Sequence, residues 1–370
     1  MSSHSSQPVK VAIIGGGVAA LEAMLALDAI SYSGADVHLF SPKSRFVLKP
    51  LAVLSGFGRG GLLNFDLKKL AATAGANFHN LSVSEVDTER RRLELSDGSE
   101  FEYDYLIASP GTKSLYSVPG TITYWGPAGN EAVAEALAPL RDREEVNVVV
   151  TMPAGGTWPL PIYELALLIA AEPGVCGTVT IVTPEKSVLE LFGEAASEKV
   201  SALLRYRNVE TILETAPAEY QDGVLVTTDG RQIKADLAIA LPLLTGRKIS
   251  GLPYDEQGYI PVDEYGQIEQ HSREFAAGDV TSNPVKFGAL ATEQADVVAS
   301  AIAAAAWKGP APKPFKPVYR GTLATADGLI DLGPGSGSSE PYAWDPAEKV
   351  QGKYLTPFLK AADPAALDSD

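Results

Sequence analysis

Apolar residues fill Val9 to Ile14 without a break, stop at a glycine cluster, and resume at helical spacing from Val18 to Ile30. A strand-length run followed by glycines and a 3.6-residue period predicts strand, tight turn and helix. Asp36 to Phe40 predicts a second strand. Phe78 to Val86 and Arg91 to Leu95 predict short strands, with Ser96-Asp97-Gly98 completing a hairpin, and Tyr105 to Ser109 a further strand ending at Pro110-Gly111. From about Ile122 the pattern restarts. Helix is predicted over Ala132–Leu140, strand over Val146–Thr151, helix over Ile162–Ala171 and strand over Thr178–Thr183. A helix at Ala195–Tyr206, a hairpin around Asp229-Gly230 and the apolar run Leu237–Leu241 follow, then a helix over Ala289–Ala306. Pro310 to Pro317 reads as a linker. Val318 to Asp370 mixes a short hairpin-like piece, the loop GPGSGSSEP and an acidic tail.

Strand–helix–strand occurring twice predicts an α/β fold with two Rossmann-like dinucleotide-binding domains, the second inserted into the first, plus a small C-terminal segment. The expected division is 8–120 and 245–312 for the first domain, 121–244 for the second, and 313–370 for a C-terminal cap. With 370 residues, the chain exceeds one typical core.

Charge and cysteine count narrow the chemistry. A formal charge of −16 disfavours nucleic acid and anionic membranes, both polyanions. The opening MSSHSSQPVK has no apolar signal region, and no stretch of 18 uncharged apolar residues occurs, so a cytoplasmic protein without a membrane span is expected. The single cysteine, Cys176, rules out a dithiol site within one chain and any zinc–thiolate or iron–sulfur centre. It is expected to be an inert core or strand-edge residue. His4, His38, His79 and His271 lack metal-ligand spacing.

Two motifs carry candidate chemistry. In VAIIGGGVAALEA, Gly15 permits a tight turn, Gly17 lets backbone approach a pyrophosphate, and Ala20 keeps the helix near the sheet, while the helix start offers N–H groups and its dipole to an anion. About 250 residues on, EFAAGDV (Glu274 to Val280) reads as a second nucleotide signature. The plainer alternatives are a ligand-free glycine turn and a buried strand ending in a turn.

Together with YDYLIASPGT and GYIPVDEYGQIE, these motifs resemble the two-dinucleotide-binding-domain flavoproteins, the pyridine nucleotide–disulfide oxidoreductase superfamily. RFVLKPLAVLSGF, PLPIYELALLIAA, PVKFGALATEQADVVASAI and EKVQGKYLTPFL resemble its sulfide:quinone oxidoreductase and type II NADH dehydrogenase branch, in particular a soluble bacterial subgroup. The resemblance implies noncovalent FAD. Gly15, Gly17 and Ala20 would sit at its pyrophosphate, Asp279 would bind the ribityl chain beside Gly278, and Val83 would meet the adenine through its backbone. Ala291 and Thr292 would face the flavin's N1 and O2 edge, Lys49 and Pro50 would brush its ring, and Gly111 completes the cofactor-binding set. Where the family usually ends its second strand with an acid, this chain has Ser41-Pro42, so the ribose would meet one hydroxyl of Ser41, or Lys43.

Two candidate catalytic residues follow from the same resemblance. Glu164 in IYELAL would relay protons near the flavin, or face solvent at a helix start. Lys286 in PVKFG would stabilise developing negative charge, or be merely solvated. Cysteines beside the flavin, needed for the usual sulfide chemistry, are missing. The second fingerprint is altered to MPAGGTWPLPIYE: Gly155 and Gly156 survive, but Trp158, Pro159 and Pro161 replace the phosphate-holding positions, which makes NAD(P)H a doubtful ligand even though Glu185 could grip a ribose. Trp158 reads as a stacking lid or as packing.

Three functions stay in play: a FAD oxidoreductase passing electrons between an unidentified small donor and a quinone or other small acceptor; an NAD(P)H dehydrogenase with an atypical nicotinamide site; and a flavin-binding module acting through partner contacts. From Lys313 onward, six basic and eight acidic residues make a poor membrane anchor, and a cap at a homodimer interface fits better.

Overall fold

A computed structural model describes residues 8–31, 34–48, 52–59, 62–141, 143–333 and 346–362. Its frame is two five-stranded parallel sheets. The first runs, from one edge, Glu274–Ala276, Tyr105–Ala108, Val9–Ile14, Ala35–Phe40 and Asn77–His79. The second runs Ile122–Thr123, Leu237–Ala240, Val146–Thr151, Gly177–Val182 and Val209–Ile212. Residues 9–108 begin the first sheet, and Glu274–Ala276 completes it after the chain has built the second. Pairing is in register throughout the central strands, Val11 opposite Val37 and Val148 opposite Val179. The central strands are buried along most of their length because helices cover one face of each sheet and a three-stranded antiparallel sheet the other, which is why they read as unbroken apolar runs.

Helices Val18–Ser31 and Gly288–Trp307 pack on each other beside the first sheet. Their lining is small, with Ala19, Ala20, Ala23, Ala295 and Ala299 all buried. Helix Leu160–Ala170 is the corresponding element of the second unit and is buried almost all round. The C-terminal hairpin, Gly321–Thr325 with Gly328–Leu332, packs on that helix. Further along, residues Val350, Leu355 and Leu359 enter the core of the first unit. The C-terminal segment thus spans both units.

Several expectations need correction. The run Phe78–Val86 is broken: Asn77–His79 joins the parallel sheet, whereas Val83–Asp87 joins a separate antiparallel sheet with Arg92–Leu95 and Glu100–Glu102. The helix expected from Ala132 begins at Gly126, because Pro127 suits a first turn. Short elements lacking strong periodicity went unread, including the hairpin Arg45–Val47 with Asn64–Asp66 and the helix Leu67–Thr73, capped by Asp66 accepting from the Lys69 amide at 2.9 Å. Thr112–Tyr116 also pairs with Leu243–Gly246, joining the two crossings between the units. Of the two places expected for Cys176, core or strand edge, the core one is excluded: it is exposed just before the Gly177–Val182 strand. His38 and His79 hydrogen-bond to each other at 2.9 Å.

Candidate functional site

Parallel α/β sheets present their loops, and hence their ligand sites, at the carboxyl ends of the strands. There the two units face each other across a cavity of about 560 Å³. Gly15, Gly17, Ser41, Val83, Gly111, Gly278, Asp279, Ala291, Glu164 and Lys286 all line it.

The glycine turn is fixed by sterics. Gly15 holds φ +132°, and a Cβ there would lie 2.2 Å from the Ser109 carbonyl oxygen. Gly17 is different: a Cβ would meet nothing within 4 Å, so its backbone faces open space. The return loop is brought to this turn by Gly278, whose added Cβ would stand 2.8 Å from the Ala19 Cβ. The Gly278 amide donates to Gln294 Oε1 at 2.7 Å, which fixes Asp279 at the cavity wall. The opening turn and the distant aspartate therefore meet in space.

Two helix N-termini open onto the same cavity. The first intrahelical bonds run from Leu21 to Gly17 and from Ala291 to Phe287, leaving the preceding amides without partners inside their helices. Such amides and the dipole behind them suit an anion. An open backbone at Gly17, a turn that excludes side chains and two amide-rich helix starts fit the pyrophosphate and flavin portions of FAD.

The remaining expected residues are placed as follows. Ala20 is buried behind the turn. Thr292 does not line the cavity, and its hydroxyl donates to the Ala289 carbonyl at 2.8 Å. The Ser41 hydroxyl accepts from the Lys43 amide at 3.2 Å, while Lys43 and Arg45 line the cavity beside it. Lys49 and Pro50 lie outside the described residues.

Glu164 does not face solvent. It is 3% exposed, and its Oε1 accepts from Lys349 Nζ at 2.6 Å and from the Ala324 amide at 2.8 Å. Burial pushes its carboxyl above the usual range, while the Lys349 ammonium and the Ala324 N–H oppose that shift. Lys286 is not solvated either. Its ammonium donates to the Thr281 carbonyl and lies 3.8 Å from the Tyr259 ring centroid. Burial lowers it to about 8, against the pull of Asp279 and Asp255.

The altered second fingerprint has a distinct geometry. Trp158 stacks on Phe287 at 4.1 Å and 7°, joining the loop after Val146–Thr151 to the residue before Gly288–Trp307. The Lys286 amide donates to the Thr157 carbonyl at 3.3 Å across the same junction. A Cβ on Gly156 would lie 2.1 Å from Met152 Cε, and Pro161 contributes no amide to the helix start. Glu185 is buried, with Oε2 accepting from the Tyr163 hydroxyl at 2.6 Å and Thr183 at 2.9 Å, and its carboxyl is raised to about 7 by burial. Its Oε1 has no partner.

The residue that sequence reasoning missed is Lys349. Its motif was visible in EKVQGKYLTPFL, but no local period tells that it reaches a glutamate 185 residues away.

A family model described as pyridine nucleotide-disulphide oxidoreductase matches residues 9–305, and the chain belongs to that family. It is 24% identical to ferroptosis suppressor protein 1 of Taeniopygia guttata, over 73% of this chain and 74% of that protein. It is likewise 24% identical to demethylphylloquinone reductase NdbB of Synechocystis, covering 73% and 71%. In fold it is similar to the sulfide:quinone oxidoreductase of Aquifex aeolicus, with a TM-score of 0.79 and 18% identity over 87% of this chain and 83% of that one. The protein is an FAD-dependent oxidoreductase of this family. No helix among the described residues is long and apolar enough to cross a membrane.

Proposed function

We propose that this oxidoreductase passes electrons between a small donor and a quinone or similar small acceptor, with noncovalent FAD and no cysteine chemistry. One observation carries the reading: a single cavity joins the glycine turn and Asp279 to the buried Glu164–Lys349 pair. Bound FAD supplies the two-electron redox chemistry. The chain supplies the rest. The turn and helix starts hold an anionic cofactor, and Lys286 offers positive charge at the cavity wall. The Glu164–Lys349 pair holds a proton on the Lys349 ammonium, donated to Glu164 Oε1 at the cavity wall, where a quinone oxygen becoming a hydroxyl needs one. Trp158 and Phe287 exclude water from that end. The names of demethylphylloquinone reductase and sulfide:quinone oxidoreductase support a quinone as acceptor. Cys176, exposed at the start of the Gly177–Val182 strand and absent from the cavity wall, has no place in this reaction.

One observation favours a nicotinamide nucleotide as donor: Glu185 stands after the Gly177–Val182 strand with a carboxylate oxygen unpartnered, where a ribose would bind. Against it stand Pro161, the Met152 methyl at Gly156 and the Trp158–Phe287 stack. Anaerobic stopped-flow mixing separates the two readings. NADH and NADPH are expected to leave the flavin band unbleached on the timescale of turnover, while photoreduced protein is reoxidised rapidly by a water-soluble quinone. Fast bleaching by either nucleotide would transfer the assignment to the dehydrogenase reading.

A further inference from the structure

Glu22, in helix Val18–Ser31, is wholly enclosed, an expensive position for a charge. Its two oxygens are both engaged by the C-terminal segment. Oε1 accepts from the Tyr354 amide at 2.8 Å, and Oε2 from the Leu355 amide at 2.7 Å. A carboxylate from the first helix thus caps the start of the last one, Leu355–Ala361. Gly352 is pressed against it: a Cβ there would stand 2.6 Å from Glu22 Oε2 and 3.1 Å from Thr292 Cγ2.

Asp296, on helix Gly288–Trp307, meets Glu22 within hydrogen-bonding reach, and its Oδ1 is buried without a partner. Two carboxyls meeting where one is enclosed and the other half-buried titrate as a pair and share a proton. Only two residues separate Gly352 from Lys349, whose ammonium contacts Glu164 in the cavity. Between them Val350 is fully buried, and Gln351 donates from Nε2 to Thr322 Oγ1 at 3.3 Å. The strap 346–361 is therefore anchored at Glu22 and delivers Lys349 to Glu164.

We propose that the Glu22–Asp296 carboxyl pair is a proton-dependent positioning device that seats this strap and, through it, places Lys349 on Glu164. Its functional weight rests on the role given above to Glu164 and Lys349. With the shared proton in place, Asp296 donates to Glu22 and the pair carries one negative charge, engaged by two backbone N–H groups. Without the proton, two anions face each other, one of them at the fully enclosed Glu22. The other charged groups facing them are Lys353 of the strap and Glu293 of the helix. Lys353 Nζ also donates to the Tyr354 hydroxyl at 2.8 Å, and Glu293 accepts from Arg320 at 2.5 Å.

Burial, and then Glu22, raise the Asp296 carboxyl to about 7, with Lys353 opposing. An acid raised on folding contributes stability that is complete below its unfolded value and is lost as pH rises through its folded value. The strap is therefore tightest in mild acid and loosens above neutrality.

Hydrogen exchange on the FAD-loaded protein tests this. Relative to intrinsic chemical rates, protection of the Tyr354 and Leu355 amides is expected to fall about tenfold or more between roughly pH 6 and 8.5, each pH unit above the transition being worth up to about tenfold. Amides of Val148–Val150 serve as the unchanging reference. In Asp296→Asn the donor to Glu22 persists but cannot ionise, so protection stays high and flat with pH. In Glu22→Gln the remaining acid loses its anionic neighbour, and the transition moves to lower pH. Flat protection in the wild-type protein, or an unchanged slope in Asp296→Asn, overturns the proposal. No donor, acceptor or turnover enters the measurement, so its failure leaves the proposed reaction standing, and failure of the quinone reaction leaves the exchange result intact.

Discussion

Gly15→Ala is expected to yield a nearly colourless protein, with FAD affinity at least about 100-fold weaker, equivalent to roughly 2.8 kcal/mol. At φ +132° an L side chain is strained by about 1–3 kcal/mol, before the methyl's overlap with the Ser109 carbonyl at 2.2 Å is counted. The turn must move, and with it the amides that face the cofactor. Gly17→Ala is the informative partner. Its methyl enters open space, so the apo-protein keeps its melting temperature. The same methyl stands where the backbone approaches the pyrophosphate, and affinity falls about tenfold, roughly 1.4 kcal/mol. Flavin absorbance per chain, titration of apo-protein with FAD and apo-protein melting curves separate the two effects. Wild-type affinity in both variants would mean that the cofactor rests elsewhere.

The second large effect concerns the buried ion pair. Glu164→Gln leaves Lys349 enclosed without its counter-charge, and removing one partner of a buried pair costs about 3–5 kcal/mol. Lys349→Met costs less near neutrality, because Glu164 takes up a proton. With its cation gone, burial raises the Glu164 carboxyl further, so this variant loses stability progressively as pH rises. The double variant recovers most of the lost stability, since neither charge remains to be desolvated. Activity follows a different pattern. Quinone reoxidation of photoreduced protein slows about 10²–10³-fold in both single variants and stays slow in the double one, as expected for loss of a positioned proton donor. Melting temperatures that simply add would show that the two residues do not act as a pair, and undiminished reoxidation would remove them from the reaction.

Much of this was legible because strong local signals coincided with the fold. Val9–Ile14, the glycine turn and the helix from Val18 announce themselves through period and backbone sterics, and the restart near Ile122 announces the second sheet. Asp279 was legible for another reason, the family resemblance carried by EFAAGDV, and the structure adds why its neighbour is Gly278: a Cβ there would collide with Ala19. What escaped was set by contacts between distant segments. Burial of Glu164 depends on a lysine and an amide brought by the C-terminal hairpin and strap. Glu22 carried no signal of its own in the sequence, and only the strap that it caps explains it. Thr292 seemed to face the flavin edge from its place near a helix start, yet its hydroxyl turns back to Ala289. Charge and polarity gave the residue types, whereas their direction came from packing.

The most direct measurement is stopped-flow reoxidation of photoreduced, FAD-loaded Cys176→Ser protein by a water-soluble quinone. Reoxidation at the wild-type rate, far above that of free reduced flavin at the same quinone concentration, is the predicted result. A rate no faster than free flavin, or one that collapses with the loss of the single thiol, would contradict a cysteine-independent electron transfer in this cavity.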